Sequence, residues 1–431
     1  MADTFIPYGR QSISEADIQA VVDVLRSDFL TQGPAVERFE HAVAEYCGAS
    51  HAVAVNSATS ALHIACLAAG LRSGDVLWTS PNTFVASANC ALYCGASVDF
   101  VDIDPRTYNM SVERLEEKLI AAKKTGSLPQ VVIPVHFAGQ PCDMMRIAEL
   151  GREYGFTIIE DASHAIGGKY RDVPVGNCRY SNMTVFSFHP VKIITTGEGG
   201  MVVTNSSELN EKLVRLRSHG ITRDPLLMEG EPHGAWYYQQ VEFGFNYRMT
   251  DMQAALGVSQ MTRIDEFVAR RHELARRYDK LLAGLPLTLP WQHPDGYSAF
   301  HLYVVQVKST PTTLHNSLPP LGPQFAPLQG MCANLSKNAL YFPHPFPGEG
   351  RGGVGVDRRQ LFDSMRIANI GVNVHYIPVH THPYYRRMGF AECMFPEAER
   401  YYSQAISLPM FASMTNDQQD RVVDSLYGAM T

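Results

Sequence analysis

From His51 onward the sequence alternates short apolar runs with helix-periodic stretches, and this alternation restricts the possible fold more than any other feature. Strands are predicted at 52–55, 76–79, 97–101, 131–135 and 157–160, separated by helices at 59–69, 84–93, 112–123 and 143–154. A chain of this pattern is α/β: it builds βαβ units, in which a mostly parallel sheet is covered by helices on both faces. Two further strands, 184–188 and 200–204, complete the sheet. Before it, a helix at 14–27 opens with Ser14 and Asp17 in a capping-box pattern and sets Ile18, Val21, Val22 and Leu25 on one face.

A chain of 431 residues has room for two or three structural units. The stretch 250–282, rich in Arg with apolar residues at helical spacing, reads as a single helix leaving the sheet. The expected division is a large domain with its N-terminal segment over 1–249, a connecting helix over 250–285 and a smaller α/β domain over 286–431. The last carries a strand at 302–307, a helix at 358–368, a strand-like run at 372–376 and a closing helix at 417–427. Residues 309–356 differ: Pro and Gly are frequent, no periodicity lasts, and the segment reads as a surface excursion.

Composition excludes several function classes. Asp and Glu outnumber Lys and Arg by 43 to 36, so the chain has no overall attraction to nucleic-acid phosphates or anionic lipid. Eight Cys without a CxxC pair fit reduced thiols in a cytoplasmic protein. Cys90 and Cys94 stand four apart in a predicted helix, a spacing open to metal sharing; with no matching Cys/His pair, a buried-core role is expected. The start, Met-Ala-Asp-Thr-Phe-Ile-Pro, has neither a basic segment nor an apolar run, so no secretory signal is expected. The uncharged stretches 51–71 and 76–98 are broken by polar residues, Pro and Gly, which argues against a membrane span.

Ligands of open α/β sheets sit beyond the carboxyl ends of the strands, so the residues after each strand are read together. Asn56-Ser57-Ala58-Thr59-Ser60 opens a helix whose free amides suit a phosphate. Pro81-Asn82-Thr83-Phe84 brings an aromatic ring to the sheet edge. Asp161-Ala162-Ser163-His164 brings a carboxylate out of an apolar strand, where a protonated pyridine nitrogen is a fitting partner. Phe186-Ser187-Phe188-His189-Pro190-Val191-Lys192 precedes the turn Thr195-Thr196-Gly197-Glu198-Gly199-Gly200, and a partly desolvated Lys there can condense with an aldehyde cofactor. Read singly, each stretch also has an ordinary structural explanation: a helix cap, a core Phe, a capping Asp, a surface Lys.

Together with Gly244-Phe245-Asn246-Tyr247-Arg248, these stretches resemble the DegT/DnrJ/EryC1/StrS family of pyridoxal-phosphate sugar aminotransferases, over nearly the whole chain except 309–356. The resemblance implies the fold-type I aminotransferase architecture and a homodimer with active sites at the subunit interface. It also implies roles. Lys192 would carry the cofactor covalently, Asp161 would pair with the pyridinium nitrogen, Phe84 would stack on the ring and His164 would lie near the ring hydroxyl. Ala58, Thr59 and Ser187 would hold the phosphate, with Asn246 reaching it from the partner. The family's dehydratase branch has histidine in place of the lysine; Lys192 favours transamination.

Within the family, Tyr8, the segment Asp28-Phe29-Leu30-Thr31-Gln32-Gly33 and Val374-His375-Tyr376-Ile377-Pro378-Val379-His380 resemble the branch that makes the 4-amino sugar precursor of pseudaminic acid. That resemblance implies Tyr8, Asp28, Phe29, Leu30, Thr31, Ser57, Asn373, Val374, His375 and Tyr376 as contacts to the sugar nucleotide. It implies L-glutamate as amino donor and a UDP-linked 4-keto sugar as acceptor. The alternative reading of His375, His380 and His382 as a metal site is set aside, because a substrate-binding role already accounts for that segment. Rival readings are the same chemistry on another keto-sugar nucleotide or a keto-inositol, and a cofactor-binding regulator without turnover.

Overall fold

The structure is a computed structural model that describes residues 4–308 and 357–430. A seven-stranded sheet runs in the order His51–Val55, Gly200–Thr204, Met183–Ser187, Thr157–Asp161, Val131–Ile133, Val76–Thr79, Ser97–Phe100. Its strands are parallel except Gly200–Thr204, which is antiparallel to both neighbours. The predicted strands and helices of this region are present, with ends shifted by a residue or two. Met183–Ser187 and Gly200–Thr204 are buried at every position, as expected of strands covered on both faces.

The covering helices are Ala58–Ala68, Ala86–Tyr93, Val112–Thr125, Met144–Tyr154 and Ser207–Arg217. Leu62, Ile64 and Ala88 pack on one side of the sheet with Val53, Val131, Ile133 and Val185. Phe39, Val43, Phe186, Phe188 and Ala254 form a second core, which recruits the helices Pro34–Cys47 and Asp251–Met261. The helix Pro34–Cys47 was not predicted, although Pro34 at its start and Gly48 in the left-handed conformation at its end are ordinary boundary signals.

Three expectations need correction. The first helix, Glu15–Leu25, has the capping box between Ser14 and Asp17, but the predicted apolar face is not the buried one. Ile18 and Leu25 are about half exposed (47% and 55%), while Asp17 and Val24 are buried. Asp17 accepts hydrogen bonds from Ser259 Oγ at 2.6 Å and Gln260 Nε2 at 2.8 Å and pairs with Arg263, so a carboxylate docks this helix. The stretch 250–282 is two helices, Asp251–Met261 and Ile264–Leu281. At the break the Thr262 hydroxyl donates to the Ser259 carbonyl at 2.7 Å, Arg263 leaves helical geometry, and its side chain reaches Asp17. The run 372–376 is not a strand; it makes a single bridge, from Asn373 to Ser407.

A second sheet, antiparallel and three-stranded, runs Leu287–Thr288, Tyr303–Val307, Ala405–Leu408. Leu274 and Tyr278 of the helix Ile264–Leu281, Leu361 and Met365 of Arg358–Ile367, and Val422 and Leu426 of Asn416–Met430 pack on it. Ile6 joins this core, with its amide on the Asn369 carbonyl at 3.0 Å and its carbonyl accepting from Gly371, which fixes the approach of Tyr8. The excursion expected at 309–356 lies outside the described residues.

Candidate active site

The carboxyl ends of the parallel strands open into a cavity of about 510 Å³. It is lined by Tyr8, Ser57, Ala58, Thr59, Phe84, Asp161, His164, Ser187, Lys192, Asn373, Val374, His375 and Tyr376. Residues predicted from well-separated places in the chain therefore meet in one pocket.

Each wall has a local cause. Ser57 caps the helix Ala58–Ala68, its hydroxyl accepting from the Ser60 amide at 3.1 Å. The amides of Ala58 and Thr59 have no acceptor among the described residues, as the first turn of a helix dictates. Gly200 lets the adjacent strand approach this turn: a Cβ there would lie 2.5 Å from the Ser57 carbonyl carbon and 2.6 Å from the Ala58 nitrogen. Asp161 ends its strand. Its Oδ2 accepts from Ser87 Oγ at 2.6 Å and its Oδ1 from the Ser163 amide at 3.1 Å. Ser87 in turn is 2.8 Å from Thr83 Oγ1, one helical turn earlier.

Lys192 follows a tight turn, its amide donating to the His189 carbonyl at 2.9 Å. Among the described residues its amine has no hydrogen bond or ion pair. Desolvation draws its pKa down to about 8, opposed in part by the charge of Asp161. More of this amine is therefore neutral and nucleophilic near neutral pH than of an ordinary lysine, although the protonated form still predominates.

On the opposite wall Tyr376 is held by its amide to Asn82 Oδ1 at 3.2 Å, and the Tyr401 hydroxyl donates to the His375 carbonyl at 2.7 Å. The Tyr376 hydroxyl lies 3.1 Å from His164 Nε2. Burial raises the Tyr376 pKa, so this hydroxyl keeps its proton. Burial, reinforced by Lys192, pushes His164 well below the usual range, so the ring is neutral. Its Nδ1 is buried without a protein partner. His375 is neutral for the same reasons, with its pKa lowered to about 3, and its Nδ1 is 2.8 Å from Ser407 Oγ. His380 instead pairs with Glu399 at 2.9 Å.

These features fit pyridoxal phosphate. Two unmet helix amides suit a phosphate, and a carboxylate fixed by two donors suits a ring nitrogen. A buried imidazole nitrogen without a partner suits a ring oxygen, and an amine without an ion pair suits an aldehyde. Phe84 is 59% exposed although it forms a cavity wall, leaving a ring face open for stacking.

Five predicted residues lie elsewhere. Asp28, Phe29, Leu30 and Thr31 are exposed and outside this pocket; Asp28 and Phe29 line a separate hollow of about 500 Å³. Asn246 is exposed, on a strand-like bridge to Ser218. Sequence reasoning missed Ser87 and His301. The i, i+4 spacing of Thr83 and Ser87 was a usable signal for the first. His301 packs its ring 4.4 Å from that of His164, far away in sequence, which no local pattern reveals.

Comparison with known proteins follows this geometry. The model of the DegT/DnrJ/EryC1/StrS aminotransferase family matches residues 11–322 and 331–427. The spore coat polysaccharide biosynthesis protein SpsC of Bacillus subtilis is 36% identical over 425 residues, covering 98% of this chain and 96% of that protein. The UDP-4-amino-4,6-dideoxy-N-acetyl-beta-L-altrosamine transaminase of Campylobacter jejuni is 34% identical over 426 residues, covering 99% and 97%. Among solved structures, Helicobacter pylori PseC, an aminotransferase involved in the biosynthesis of pseudoaminic acid, has a TM-score of 0.80 at 27% identity and covers 99% of each chain.

Proposed function

The chain belongs to the DegT/DnrJ/EryC1/StrS aminotransferase family, whose enzymes depend on pyridoxal phosphate, and from that premise we propose its substrates and the roles of its residues. It transfers the amino group of L-glutamate to C4 of UDP-2-acetamido-2,6-dideoxy-β-L-arabino-hex-4-ulose. The product is UDP-4-amino-4,6-dideoxy-N-acetyl-β-L-altrosamine, a precursor for pseudaminic acid. The observation that carries this reading is that Tyr8 and Asn373 to Tyr376, the segments expected to touch the sugar, line the same cavity as Lys192.

In this reading the phosphate rests on the amides of Ala58 and Thr59 and on Ser187, Asp161 faces the ring nitrogen, and His164 Nδ1 donates to the ring oxygen. Bound pyridoxal phosphate supplies an electron sink that stabilises negative charge at a carbon losing a proton. The chain's own part is positioning and proton transfer. Lys192 Nζ, free once glutamate is bound, would move the proton from the donor's α-carbon to the cofactor's C4′ carbon. With the keto sugar bound, Lys192 would run the shuttle in reverse, taking a proton from C4′ and delivering it to the sugar's C4. The Tyr376 hydroxyl keeps the proton of His164 on Nδ1 throughout, so the donor toward the ring oxygen is preset.

The proposed assembly is a homodimer. Lys192 is the single Lys or Arg among the described residues lining the cavity, whereas glutamate carries two carboxylates and UDP a diphosphate. A second copy supplies the missing donors, Asn246 and the segment Asp28 to Thr31 included. Exposed Ile18, Leu25, Phe29 and Leu30 on the first helix and its following loop give that copy an apolar surface.

Measuring kcat/KM for this acceptor and for its D-xylo epimer at equal glutamate tests the reading. A buried polar group left unpaired by a misplaced hydroxyl costs about 1–3 kcal/mol, so a preference of roughly tenfold or more for the β-L-arabino compound is expected. A preference for the D-xylo epimer or for a 3-keto sugar overturns the substrate assignment and leaves the cofactor chemistry standing. The 36% identity to SpsC, a spore coat polysaccharide protein, supports the second reading, the same transfer to a different keto-sugar nucleotide.

A further inference from the structure

His301 lines the cavity, and the proposed amino transfer gives it no task. Its ring packs on that of His164, with centroids 4.4 Å apart and planes tilted by 41°. Phe137 meets the same His164 ring edge-on at 6.1 Å. His301 is buried, its Nδ1 has no partner, and among the described residues its side chain makes no hydrogen bond. Whatever His301 does for the site therefore passes through its contact with His164. Burial above all holds both rings well below the usual histidine range, so they pack as neutral groups without charge repulsion.

Three unfavourable features converge on this contact. Phe300, the preceding residue, has a φ of +47°, and Ala138 has a φ of +57°, a left-handed conformation that residues with a side chain rarely adopt. Gly139, at φ +98°, lies between the two histidine segments. A Cβ there would stand 3.0 Å from the His164 carbonyl oxygen and 3.0 Å from the His301 nitrogen, so only glycine permits the approach. The Ala299 amide donates to the Gly139 carbonyl at 3.0 Å and the Leu302 amide to the Ala138 carbonyl at 3.3 Å, which joins the two turns. Arg271 is buried and makes no ion pair among the described residues. One nitrogen of its guanidinium donates to the carbonyls of Phe300, His301 and Met410, each at 3.1 Å. Burying a guanidinium without a carboxylate is costly, and left-handed backbone outside glycine is strained. Such features persist where the surrounding structure over-determines them, and they cluster at functional sites. Here they fix the backbone of His301.

We propose that His301 is a positioning residue for the cofactor: held through its backbone by Arg271 and Gly139, its ring fixes the plane of His164. This rests on the reading that His164 faces the cofactor's ring oxygen. The Tyr376 hydroxyl meets His164 only at Nε2, at 3.1 Å, and one contact at one edge leaves the ring free to tip about it. The His301 ring blocks that rotation, so His164 meets the cofactor in a single orientation.

The test is a double-mutant cycle read in the dissociation constant of pyridoxal phosphate, measured by equilibrium dialysis. His301→Ala should weaken cofactor binding roughly tenfold with His164 in place, and by less than about twofold in a His164→Leu background, where no imidazole remains to be held. A merely structural role gives an equal loss in both backgrounds. Where His301→Ala fails to fold by circular dichroism, His301→Asn, which keeps a polar side chain at the position, carries the same cycle. An equal loss in both backgrounds, or no loss with His164 in place, overturns the proposal, while weakened binding in His164→Leu alone leaves the cofactor reading standing. Unchanged affinity in His164→Leu removes the role assigned to His164 and the proposal with it.

Discussion

Ser87 donates its hydroxyl to Asp161 Oδ2 at 2.6 Å, both side chains being buried, and so ties the helix beside Phe84 to the carboxylate at the end of the central strand. The Ser163 amide holds the other oxygen at 3.1 Å, which leaves the carboxylate a single orientation. Ser87→Ala should therefore loosen Asp161 rather than remove it. Loss of one hydrogen bond to a charged group is worth about 1.5–3 kcal/mol, so cofactor affinity should fall at least roughly tenfold. Equilibrium dialysis of pyridoxal phosphate measures this, and an unchanged affinity contradicts the assigned role of Asp161.

Lys192 should carry the cofactor and show its lowered pKa. Borohydride reduction followed by peptide mapping should find the adduct on Lys192, and an adduct elsewhere refutes the assignment. Lys192→Ala should retain cofactor noncovalently and lose transamination by roughly a thousandfold or more. In the apoenzyme the amine is mainly protonated below about pH 8 and mainly neutral above it. The rate of cofactor recapture should therefore climb as pH rises through that value, with a midpoint at about 8; a midpoint near the ordinary lysine value contradicts the desolvation.

Gly200 has no space for a side chain against Ser57 and Ala58, because a methyl on its Cα would stand 2.5 Å from the Ser57 carbonyl carbon and 2.6 Å from the Ala58 nitrogen. Gly200→Ala must push the first turn of the helix Ala58–Ala68 away from the strand, at about 1–3 kcal/mol of overpacking strain. Weaker phosphate binding and a lower Tm are expected together. Differential scanning calorimetry with and without inorganic phosphate checks both, and a variant with wild-type values rules out the packing of Gly200 against this phosphate-binding turn.

Asn246 is proposed to act across the dimer. Asn246→Ala should release cofactor more readily, and Lys192→Ala should be inactive. Mixed subunits give a heterodimer with one site in which both residues are intact, so activity should recover to roughly a quarter of wild type. No recovery after verified subunit exchange places Asn246 in its own chain's site or outside any site.

Asp17 should make stability depend on pH. Burial opposes its charge, but hydrogen bonds from Ser259, the Ser14 amide and Gln260 outweigh burial, so its folded pKa lies below the ordinary carboxylate value. Such a group stabilises the fold above its unfolded pKa of about 4, and that contribution disappears as pH falls through the lower, folded value. Asp17→Asn should cost about 1–3 kcal/mol at neutral pH and flatten the loss of stability in acid. Urea denaturation at several pH values gives both quantities, and an acid slope equal to wild type rules out this contribution.

The sheet was legible from the sequence because the determinants of each strand are local. Period, β-branched content and flanking Gly, Asn or Ser are read within a few residues, and all seven strands were located. The motifs after the strands were legible for a related reason: parallel topology brings those carboxyl ends to one edge, so Asn56 to Thr59, Asp161 to His164 and Lys192 had to converge. Tertiary structure decided what depends on distant partners. The face of the first helix turned on Asp17 meeting Ser259, Gln260 and Arg263, far along the chain, and the same contact stands at the break in 250–282. The run 372–376 read as strand-like, yet Asn82 and Tyr401 hold its end, His375 and Tyr376, as a pocket wall. His301 became part of the site only when the fold laid it against His164. A sequence states which groups a segment offers; which distant group satisfies them is fixed only once the chain has closed on itself and water has been excluded from between them.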